Sequence, residues 1–507
     1  MITGFATGAG TKRYAAIGEV LRYKPLNGTG LLVSEAGFGC YRVTVDDASH
    51  VEALKEALGQ GINLIDTSAN YWDGDSELLV GTVLAEMIGG GALNRDEVVV
   101  VSKVGYLQGL NFALSQQRKQ AGKPFPDLVE YGDGLEHCIH PEFLEDQLTR
   151  SLERLGLETL DVYLLHNPEY YLSFAKGAGV PVEAARREYE RRLELALRHL
   201  EQEAERGRIK CYGISSNTFP AAADSAEFTS LERVWGIAEA ISPDHHFKVI
   251  QFPMNLIEAG AETERNQAGG TQTVLEFAVA HDLGVLINRP FNAIVDGSLQ
   301  RLVDVKRPDD APTDEIPALL EGLMQRETTL QRNLLPKMGL SQGERANIAD
   351  KLSLGSLLAE HWNGFNSQAH WMDALQRLVV PMLQHGMRSL ADKAQEHAEV
   401  EPWVQGYMEQ VNPLLAAITA HYQELEYRQK QELKQRVDTL DADWTAAGSL
   451  SHVALRALRS TEGVTTVLVG MRQVPYVQDV LAELSQPVDV AKRQEAWERA
   501  TTLSRYF

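Results

Sequence analysis

Short apolar runs alternate along the chain with segments in which apolar residues recur every three or four positions. Eight such runs occur, at 35–40, 62–66, 98–104, 161–167, 210–217, 249–255, 284–290 and 465–471. Continuous apolar runs of this length are typical of strands buried on both faces of a parallel sheet. The segments between them have helical spacing, as in Leu144, Leu148, Leu152 and Leu155 before Gly156. Eight consecutive β–α units predict an α/β fold, the (β/α)8 barrel.

One long segment interrupts this alternation. Residues 301–445 follow the seventh run and contain helical patterns but no strand pattern. Apolar stripes run through Ile316, Leu320, Leu323, Leu330 and Leu334, through Trp371, Leu375, Leu378 and Met382 around a predicted kink at Pro381, and through Ile418, Tyr422, Leu425, Leu433 and Val437. Such helices bury their stripes against one another, so we expect an inserted all-α subdomain of about four helices between strand seven and the last β/α unit. The barrel is then expected to comprise 1–300 and 446–507.

Composition and charge restrict the class of protein. The 507 residues are 44% hydrophobic and carry a formal net charge of −22, whereas a nucleic-acid-binding surface would be basic. No apolar run reaches 18 residues, and the first 20 residues lack the basic and apolar order of a signal peptide. Cys40, Cys138 and Cys211 form no CxxC pair, which fits a reducing compartment. We therefore expect a cytoplasmic protein that binds neither nucleic acid nor membrane.

Polar side chains stand where the predicted strands end, and the active sites of such barrels lie at these carboxyl ends. Asp66 ends the second run, Lys103 lies inside the third, and His166 ends the fourth. A buried lysine needs a charge partner, and Asp66 on the adjacent strand is the natural one. Tyr71 follows five residues after Asp66. Because a nearby cation favours phenolate, we expect the pKa of Tyr71 to fall below about 10 and make it a proton donor near neutral pH.

Each of these residues alone also has a structural interpretation. A lone Asp at a strand end is commonly a turn residue, and a lone His is commonly a packed core histidine. It is the combination of acid, phenol, lysine and histidine that favours chemistry. No metal site is predicted, because His245–His246 and the HCIH stretch at 137–140 lack flanking acids. A proton donor without a metal, beside an apolar floor, suits reduction of a carbonyl by a bound hydride donor.

Eight stretches of the chain, in order, resemble the aldo-keto reductase family. They are YKPLNGTGLLVSEAGFGCYRV, GINLIDTSANYWDGDSELLVG, VVVVSKVG, RSLERLGLETLDVYLLHNPE, GRIKCYGISSN, IQFPMNLIE, GVLINRP and GVTTVLVGMRQVPYVQDVL. The resemblance implies a (β/α)8 barrel that binds a nicotinamide cofactor, usually NADP(H), without a Rossmann motif. It also implies roles for four residues. Tyr71 would protonate the carbonyl oxygen as hydride reaches the carbon, Lys103 and Asp66 would tune Tyr71, and His166 would orient the carbonyl.

The resemblance further implies cofactor contacts. By position these are Ser216, Asn217 and Gln251 at the nicotinamide carboxamide, Gly39, Cys40 and Tyr41 at its ribose, and Gly470, Met471, Arg472, Tyr476 and Asp479 around the adenine ribose phosphate. Asn288 and Arg289 replace the usual aromatic–Ser pair before Pro290, so Arg289 is expected at the pyrophosphate. Tyr476 and Val480 stand where a basic or amide residue and an Asn are common, which leaves NAD(H) open beside NADP(H).

The sequence thus predicts an oxidoreductase that interconverts a small carbonyl compound (aldehyde, ketone or sugar) and an alcohol. The alternative is a cofactor-binding regulatory or scaffold subunit of the same fold, in which the helical insertion docks a partner. A metal-dependent barrel hydrolase is disfavoured, because clustered ligands are lacking. We expect the insertion at 301–445 to serve as a lid or wall of the pocket, or to form homo-oligomers.

Overall fold

The computed structural model describes residues 1–17, 21–295, 297–391 and 397–506. Residues 18–20, 296, 392–396 and 507 lie outside that description, so the predicted insertion is described except for 392–396. The chain divides into two compact units, one comprising Met1–Leu302 with Arg436–Phe507 and the other Val303–Gln435. The second unit lies within the predicted insertion.

The first unit contains a closed barrel of eight parallel strands, which confirms the predicted (β/α)8 fold. The strands are β1 Ala36–Gly39, β2 Leu64–Asp66, β3 Val99–Val104, β4 Leu160–His166, β5 Ile209–Ser215, β6 Phe247–Pro253, β7 Gly284–Asn288 and β8 Thr466–Val469. Each strand pairs with the next along the chain, and β8 pairs with β1 to close the barrel. The carboxyl ends of all eight therefore open at one mouth.

Eight helices follow these strands or precede the next. They are α1 Ala48–Gly59, α2 Asp75–Gly89, α3 Pro141–Leu155, α4 Val182–Glu205, α5 Leu231–Ile241, α6 Val274–Ala280, α7 Leu450–Arg459 and α8 Val474–Leu484. Helix α3 ends at Leu155 and is capped by Gly156, whose φ of +64° is the left-handed conformation that favours glycine. Helix α1 has Gln60 as its C-cap, and Gly61 follows with a φ of +107°. Gly61 therefore lies one residue past the cap.

The barrel unit contains further helices and strands besides these. They are the helices Gly8–Ile17, Gly109–Gln120, Tyr170–Gly177, Gly260–Thr263, Ala442–Thr445 and Gln494–Ala500, a three-stranded sheet of Tyr106–Leu107, Val129–Gly132 and Leu135–His137, and a hairpin of Asn292–Val295 with Ser298–Arg301. The three-stranded sheet lies between β3 and α3 in the chain, and the hairpin follows β7. Both leave the carboxyl ends of their strands, on the side where an active site is expected.

An antiparallel hairpin, Tyr23–Leu26 with Leu31–Ser34, closes the amino end of the barrel. Its Leu26 and Val33 belong to one buried cluster with barrel-interior residues such as Val101 and Leu164. Gly284, the first residue of β7, makes room for this plug, because a Cβ there would lie 2.5 Å from Cδ1 of Leu26. The filled interior leaves the carboxyl mouth as the open end.

A buried ion network also lies at the amino end. Arg459, at the end of α7, donates from Nη1 to Oε2 of Glu35 (2.5 Å) and from Nη2 to Oε1 of Glu483 (3.0 Å). Arg456 donates from Nε and Nη2 to the two oxygens of Glu483, both at 2.8 Å. Glu35 directly precedes β1, so the network connects α7 and α8 to the start of the barrel.

The second unit is helical. Its helices are Ile316–Thr329, Gln342–Lys351, Leu354–His361, Gln368–Ala374, Val380–Ala391 and Val400–Val437, and π turns at Leu330–Leu334 and Leu375–Val379 extend the first and join the fourth to the fifth. Its core contains every residue of the first predicted stripe, together with Trp371, Ile418 and Tyr422. Within the described residues of the chain, every helix is too short or too polar to span a bilayer.

Two stripe residues were predicted wrongly. Leu378 is 66% exposed and Leu425 is 40% exposed. Leu378 lies in the π turn Leu375–Val379, where Val380 donates to the carbonyl five residues back instead of four. The extra residue shifts the buried face to Val379 and Leu383, and it occurs directly before Pro381, which has no N–H to donate. Nothing in the structure explains the exposure of Leu425.

Candidate active site

Lys103 and Asp66 form a buried ion pair at the carboxyl mouth of the barrel. Nζ of Lys103 lies 2.7 Å from Oδ2 of Asp66 and donates to the Thr67 carbonyl at 2.8 Å. The same Nζ lies 3.3 Å from the hydroxyl of Tyr71 and 4.9 Å from its ring centroid. The predicted ion pair therefore forms between neighbouring strands, and its cation faces the predicted phenol.

The second oxygen of Asp66 is bound from across the barrel. Nε2 of Gln251, on β6, donates to Oδ1 of Asp66 at 2.8 Å. Oε1 of Gln251 accepts from Ser215 Oγ at 3.1 Å and from Asn288 Nδ2 at 3.3 Å. Gln251 thus positions the carboxylate that binds Lys103. The sequence analysis did not predict this contact.

Tyr71 stands on a tight turn that brings it over Lys103. The turn spans Tyr71–Gly74, and its Trp72 and Asp73 have φ values of +50° and +54°. These are left-handed conformations that cost free energy for residues with a Cβ and that persist where the surroundings hold them. Oδ1 of Asp73 accepts from the Leu110 N–H at 3.3 Å, which braces the turn from outside the barrel.

His166 faces Tyr71 from the end of β4. The two ring centroids lie 6.0 Å apart, and Nδ1 of His166 lies 3.1 Å from Oγ of Ser68. Its backbone carbonyl accepts from Nε2 of His137 at 2.7 Å. Tyr106 packs edge-on against the His166 ring at 4.8 Å. The four residues predicted to act together, Asp66, Tyr71, Lys103 and His166, thus gather at one mouth.

The protonation states differ in one respect from the sequence prediction. Burial raises the pKa of Tyr71 above 10, and this outweighs the lowering by Lys103, so the predicted fall is wrong. Burial disfavours the charge on Lys103, but Asp66 and Tyr71 outweigh it and raise its pKa. Burial and the Lys103 charge lower the pKa of His166 well below its ordinary value. Near neutral pH the site therefore holds a protonated phenol, a cationic lysine and a neutral imidazole.

These residues open into a cleft of about 650 Å³. Predicted site residues that line it are Asp66, Tyr71, His166, Gly39, Tyr41, Asn217, Asn288, Arg289, Pro290, Gly470 and Arg472. Predicted residues outside the lining are Lys103, Cys40, Ser216, Gln251, Met471, Tyr476 and Asp479. Lys103 and Gln251 lie beneath the lining, in contact with Asp66.

The remaining residues outside the lining have other contacts. Cys40 is buried, its N–H donates to the Asp66 carbonyl at 2.8 Å, and burial raises the pKa of its thiol, as expected of a packing residue. Ser216 contacts Thr218, and Met471 is buried. Tyr476 is 49% exposed, and Asp479 Oδ1 lies 2.9 Å from Nε2 of His452.

The sequence analysis did not predict several of the residues that line the cleft. The additional lining residues are Arg42, Asn70, Tyr106, Gln108, Asn167, Tyr170, Phe291, Asn292, Ile294, Leu299, Arg301 and Leu468. Four of them belong to the hairpin after β7. The Asp-Gly dipeptide at 296–297, between short alternating segments, is the signal that would have found it. The residues Tyr106 and Gln108 come from the segment after β3, which carries no comparable signal.

The charges in the cleft are unevenly paired. Nη2 of Arg289 lies 2.6 Å from Oε1 of Glu258, so the arginine expected at a pyrophosphate already has a carboxylate partner. Arg42, Arg301 and Arg472 form no ion pair with any residue in the described part of the chain. No group of three or more His, Cys, Asp or Glu among the described residues is arranged to hold a metal ion.

Comparison with known proteins identifies the family. Residues 35–292, 258 of the 507, match the family model of the aldo/keto reductase family. The chain is 31% identical over 151 residues to the NADH-specific methylglyoxal reductase of Escherichia coli K12 (28% of this chain, 40% of that protein). It is 30% identical over 172 residues to the L-galactose dehydrogenase of Arabidopsis thaliana (32% and 50%).

The chain thus spans half or less of the length of these curated relatives. Among solved structures, the holo form of an aldo-keto reductase from Bacillus halodurans aligns over 95% of this chain and 96% of that one, at 14% identity and a TM-score of 0.46. The family match covers β1 to β7 and all four residues gathered at the mouth. The chain belongs to the aldo/keto reductase family.

Proposed function

We propose that this protein is an NAD(P)H-dependent oxidoreductase that reduces a small carbonyl compound to an alcohol, or catalyses the reverse. The observation that carries the proposal is the Tyr71 hydroxyl, 3.3 Å from the Lys103 ammonium, at the wall of an open cleft. A protonated phenol beside a fixed cation can release its proton in a transition state, because the cation stabilises the phenolate that remains. A purely structural ion pair has no need of a phenol on its open side.

Four side chains perform the proposed reaction. When bound, the nicotinamide cofactor supplies the hydride that adds to the carbonyl carbon. Tyr71 donates its proton to the carbonyl oxygen, so that the C=O double bond becomes a C–OH single bond, and Tyr71 regains a proton from solvent. Lys103, held by Asp66, stabilises the tyrosinate in between. Neutral His166 orients the carbonyl oxygen toward Tyr71 without adding a charge that would compete with the cation.

The cleft has features that fit a nicotinamide cofactor. Oδ1 of Asn288 is buried and has no hydrogen-bond partner among the described residues, and a carboxamide N–H₂ would satisfy it. Asn217 lines the same cleft. Arg472 also lines it, two residues before the first residue of the 11-residue helix α8, where the free N–H groups of a helix start favour phosphate. We propose NADP(H) on this basis, with NAD(H) the alternative because Tyr476 and Val480 offer no amide there.

Replacement of Tyr71 by Phe tests the catalytic assignment. Turnover should fall by about 10²–10⁴-fold, the usual contribution of a general acid. Binding of NADPH and NADH, followed by protein fluorescence, should be unchanged, since the ring remains. Tyr131→Phe, at a partly exposed tyrosine outside the cleft lining, is the matched control and should keep full turnover.

Other outcomes would redirect the proposal. Lost cofactor binding in Tyr71→Phe would mean that the residue is misplaced. A wild-type chain that binds cofactor but turns over none of a panel of aldehydes, ketones, sugars and alcohols would favour the regulatory or scaffold subunit.

We further propose that the helical segment at 301–445 acts in substrate selection or in self-association. A chain lacking 305–440 with unchanged substrate range and oligomeric state would reject both roles. A cytoplasmic location is proposed from the cysteine usage and is checked by fractionation of cells.

A further inference from the structure

We propose that the substrate of this cleft carries an anionic group, a carboxylate or a phosphate, and that Arg42 binds it. The inference rests on the proposed reductase function and adds the class of substrate. It places the reacting carbonyl at Tyr71 and His166 and the anionic group at a second anchor on the same wall.

Arg42 is connected to the proton donor through one aromatic ring. Its guanidinium carbon lies 5.2 Å from the ring centroid of Tyr41, and that ring packs edge-on against Tyr71 with centroids 5.3 Å apart. Arg42, Tyr41 and Tyr71 all line the cleft. The cation is therefore separated from the proton donor by a single side chain, a span that a substrate of a few carbon atoms can bridge.

The backbone conformation of Arg42 indicates that the surrounding structure holds this residue in position. Its φ of +71° is the left-handed conformation, which costs free energy for an L-residue with a Cβ. This residue directly follows Tyr41 beyond the end of β1. Its guanidinium lies over the Tyr41 ring, and Arg42 is exposed, so its N–H edges are open to a ligand.

The charge balance of the cleft favours an anion. Among the described residues, Asp66 is the only carboxylate in the lining, and Lys103 neutralises it. Arg289 is neutralised by Glu258. Arg42, by contrast, has no ion-pair partner among the residues described, in a chain whose net charge is −22. Cations left unpaired in a concave site attract anions, and the guanidinium fork matches the two oxygens of a carboxylate or phosphate.

Arg42 is also the cation best placed for the substrate. Arg472 precedes α8 and is proposed for the cofactor phosphate. Arg301 lies on the hairpin after β7. Arg42 is the arginine that the ring contacts link to Tyr71. It is therefore proposed as a residue that determines substrate specificity.

The test compares neutral and anionic carbonyl compounds of similar carbon skeleton. One pair is butanal with succinic semialdehyde, and the other is glyceraldehyde with glyceraldehyde 3-phosphate. The wild-type chain should show a lower KM for the anionic member of at least one pair. Which pair responds tells whether the group is a carboxylate or a phosphate. Arg42→Gln should raise the KM for that anion by about 10- to 100-fold, the usual effect of one charged hydrogen bond.

Three further measurements separate binding from a structural effect. In Arg42→Gln the kcat, the KM for the neutral partner and the affinity for NADPH should stay unchanged. Arg42→Lys should restore part of the loss, because it keeps the charge without the fork. Arg187→Gln, which removes an exposed arginine outside the cleft lining, should change nothing and so controls for net charge.

Several results would overturn the inference. Turnover of the neutral compounds with no preference for either anion would reject it while leaving the reductase function intact. An equal rise of KM for neutral and anionic compounds in Arg42→Gln, or weaker NADPH binding, would assign Arg42 to structure or to the cofactor. Failure to reduce any of the four compounds would instead count against the proposed function.

Discussion

Two of the buried ion networks in the barrel unit lie at opposite ends of the barrel, and they differ in the groups that surround them. At the amino end Arg459 joins Glu35 and Glu483, and at the carboxyl end Lys103 joins Asp66. All five residues are at most 4% exposed, and the closest N–O distances are 2.5–3.0 Å in both networks. Burial and distance therefore do not distinguish the network proposed for catalysis from the other one.

The two regions differ in how fully their buried hydrogen-bonding atoms are satisfied. The Glu483 carboxylate accepts four hydrogen bonds from Arg456 and Arg459, and the Arg459 guanidinium also binds two backbone carbonyls. At the carboxyl end, Oδ1 of Asn288 and Oε2 of Glu169 are buried without partners among the described residues. Such buried acceptors can be satisfied by a ligand, and Asn288 lines the cleft.

The largest expected contrast comes from Lys103→Met. Turnover should fall by about 10²–10⁴-fold, because the tyrosinate left by Tyr71 loses its cation. The free energy of unfolding should fall by about 3–5 kcal/mol, because Asp66 stays buried without its partner. Steady-state kinetics and urea unfolding measure the two effects.

A second change separates these two effects. Adding Asp66→Asn to Lys103→Met removes the unpaired charge and should recover part of the stability but none of the turnover. Recovery of turnover in the double variant would show that Lys103 acts only through packing.

Arg459→Met should have the opposite profile. Glu35 and Glu483 would remain buried with fewer partners, so the free energy of unfolding should fall by about 3–5 kcal/mol. The kcat per folded molecule should be unchanged, because the network lies at the far end of the strands from Tyr71. Arg198→Met, at a half-exposed arginine paired with half-exposed Glu194, should cost less than about 1 kcal/mol and serves as the control. A large loss of kcat in folded Arg459→Met would end the distinction between the two networks.

The sequence predicted the framework of the site because the framework follows from strand order. Asp66, Lys103 and His166 lie on consecutive strands, and consecutive parallel strands put their carboxyl ends side by side. Tyr71 could be added because it follows Asp66 within one short loop. These placements depend on local pattern and topology, which a single chain reveals.

Other properties depend on the three-dimensional surroundings. The pKa of Tyr71 rises because burial outweighs Lys103, and no residue spacing reports burial of a loop tyrosine. Gln251 was matched to a cofactor contact, yet it bonds Asp66 from across the barrel. In the helical unit, the π turn before Pro381 moved the buried face past Leu378, because one added residue breaks a helical stripe without changing composition.

The smallest expected effect concerns Glu169, whose buried Oε2 has no hydrogen-bond partner among the described residues. Burial raises its pKa from 4.5 to about 7, and its Oε1 accepts from the Asn217 N–H at 2.8 Å. At a pH between 4.5 and about 7, Glu169 keeps a proton in the folded chain that it has released in the unfolded chain. The contribution of Glu169 to the free energy of unfolding is therefore greatest below about pH 4.5 and falls by about 3 kcal/mol as pH rises through 7.

Glu169→Gln should remove this dependence, since an amide keeps the acceptor for Asn217 and does not titrate. Relative to the wild-type chain, the variant should gain stability as pH rises from 5 to 8, measured by urea unfolding at each pH. Glu190→Gln, at a surface carboxyl paired with exposed Arg233, should run parallel to the wild type. A constant difference between Glu169→Gln and the wild type would mean that Glu169 titrates in its ordinary range. The buried Oε2 of Glu169 would then carry no stability cost, and unsatisfied hydrogen-bonding atoms would not distinguish the surroundings of the two networks.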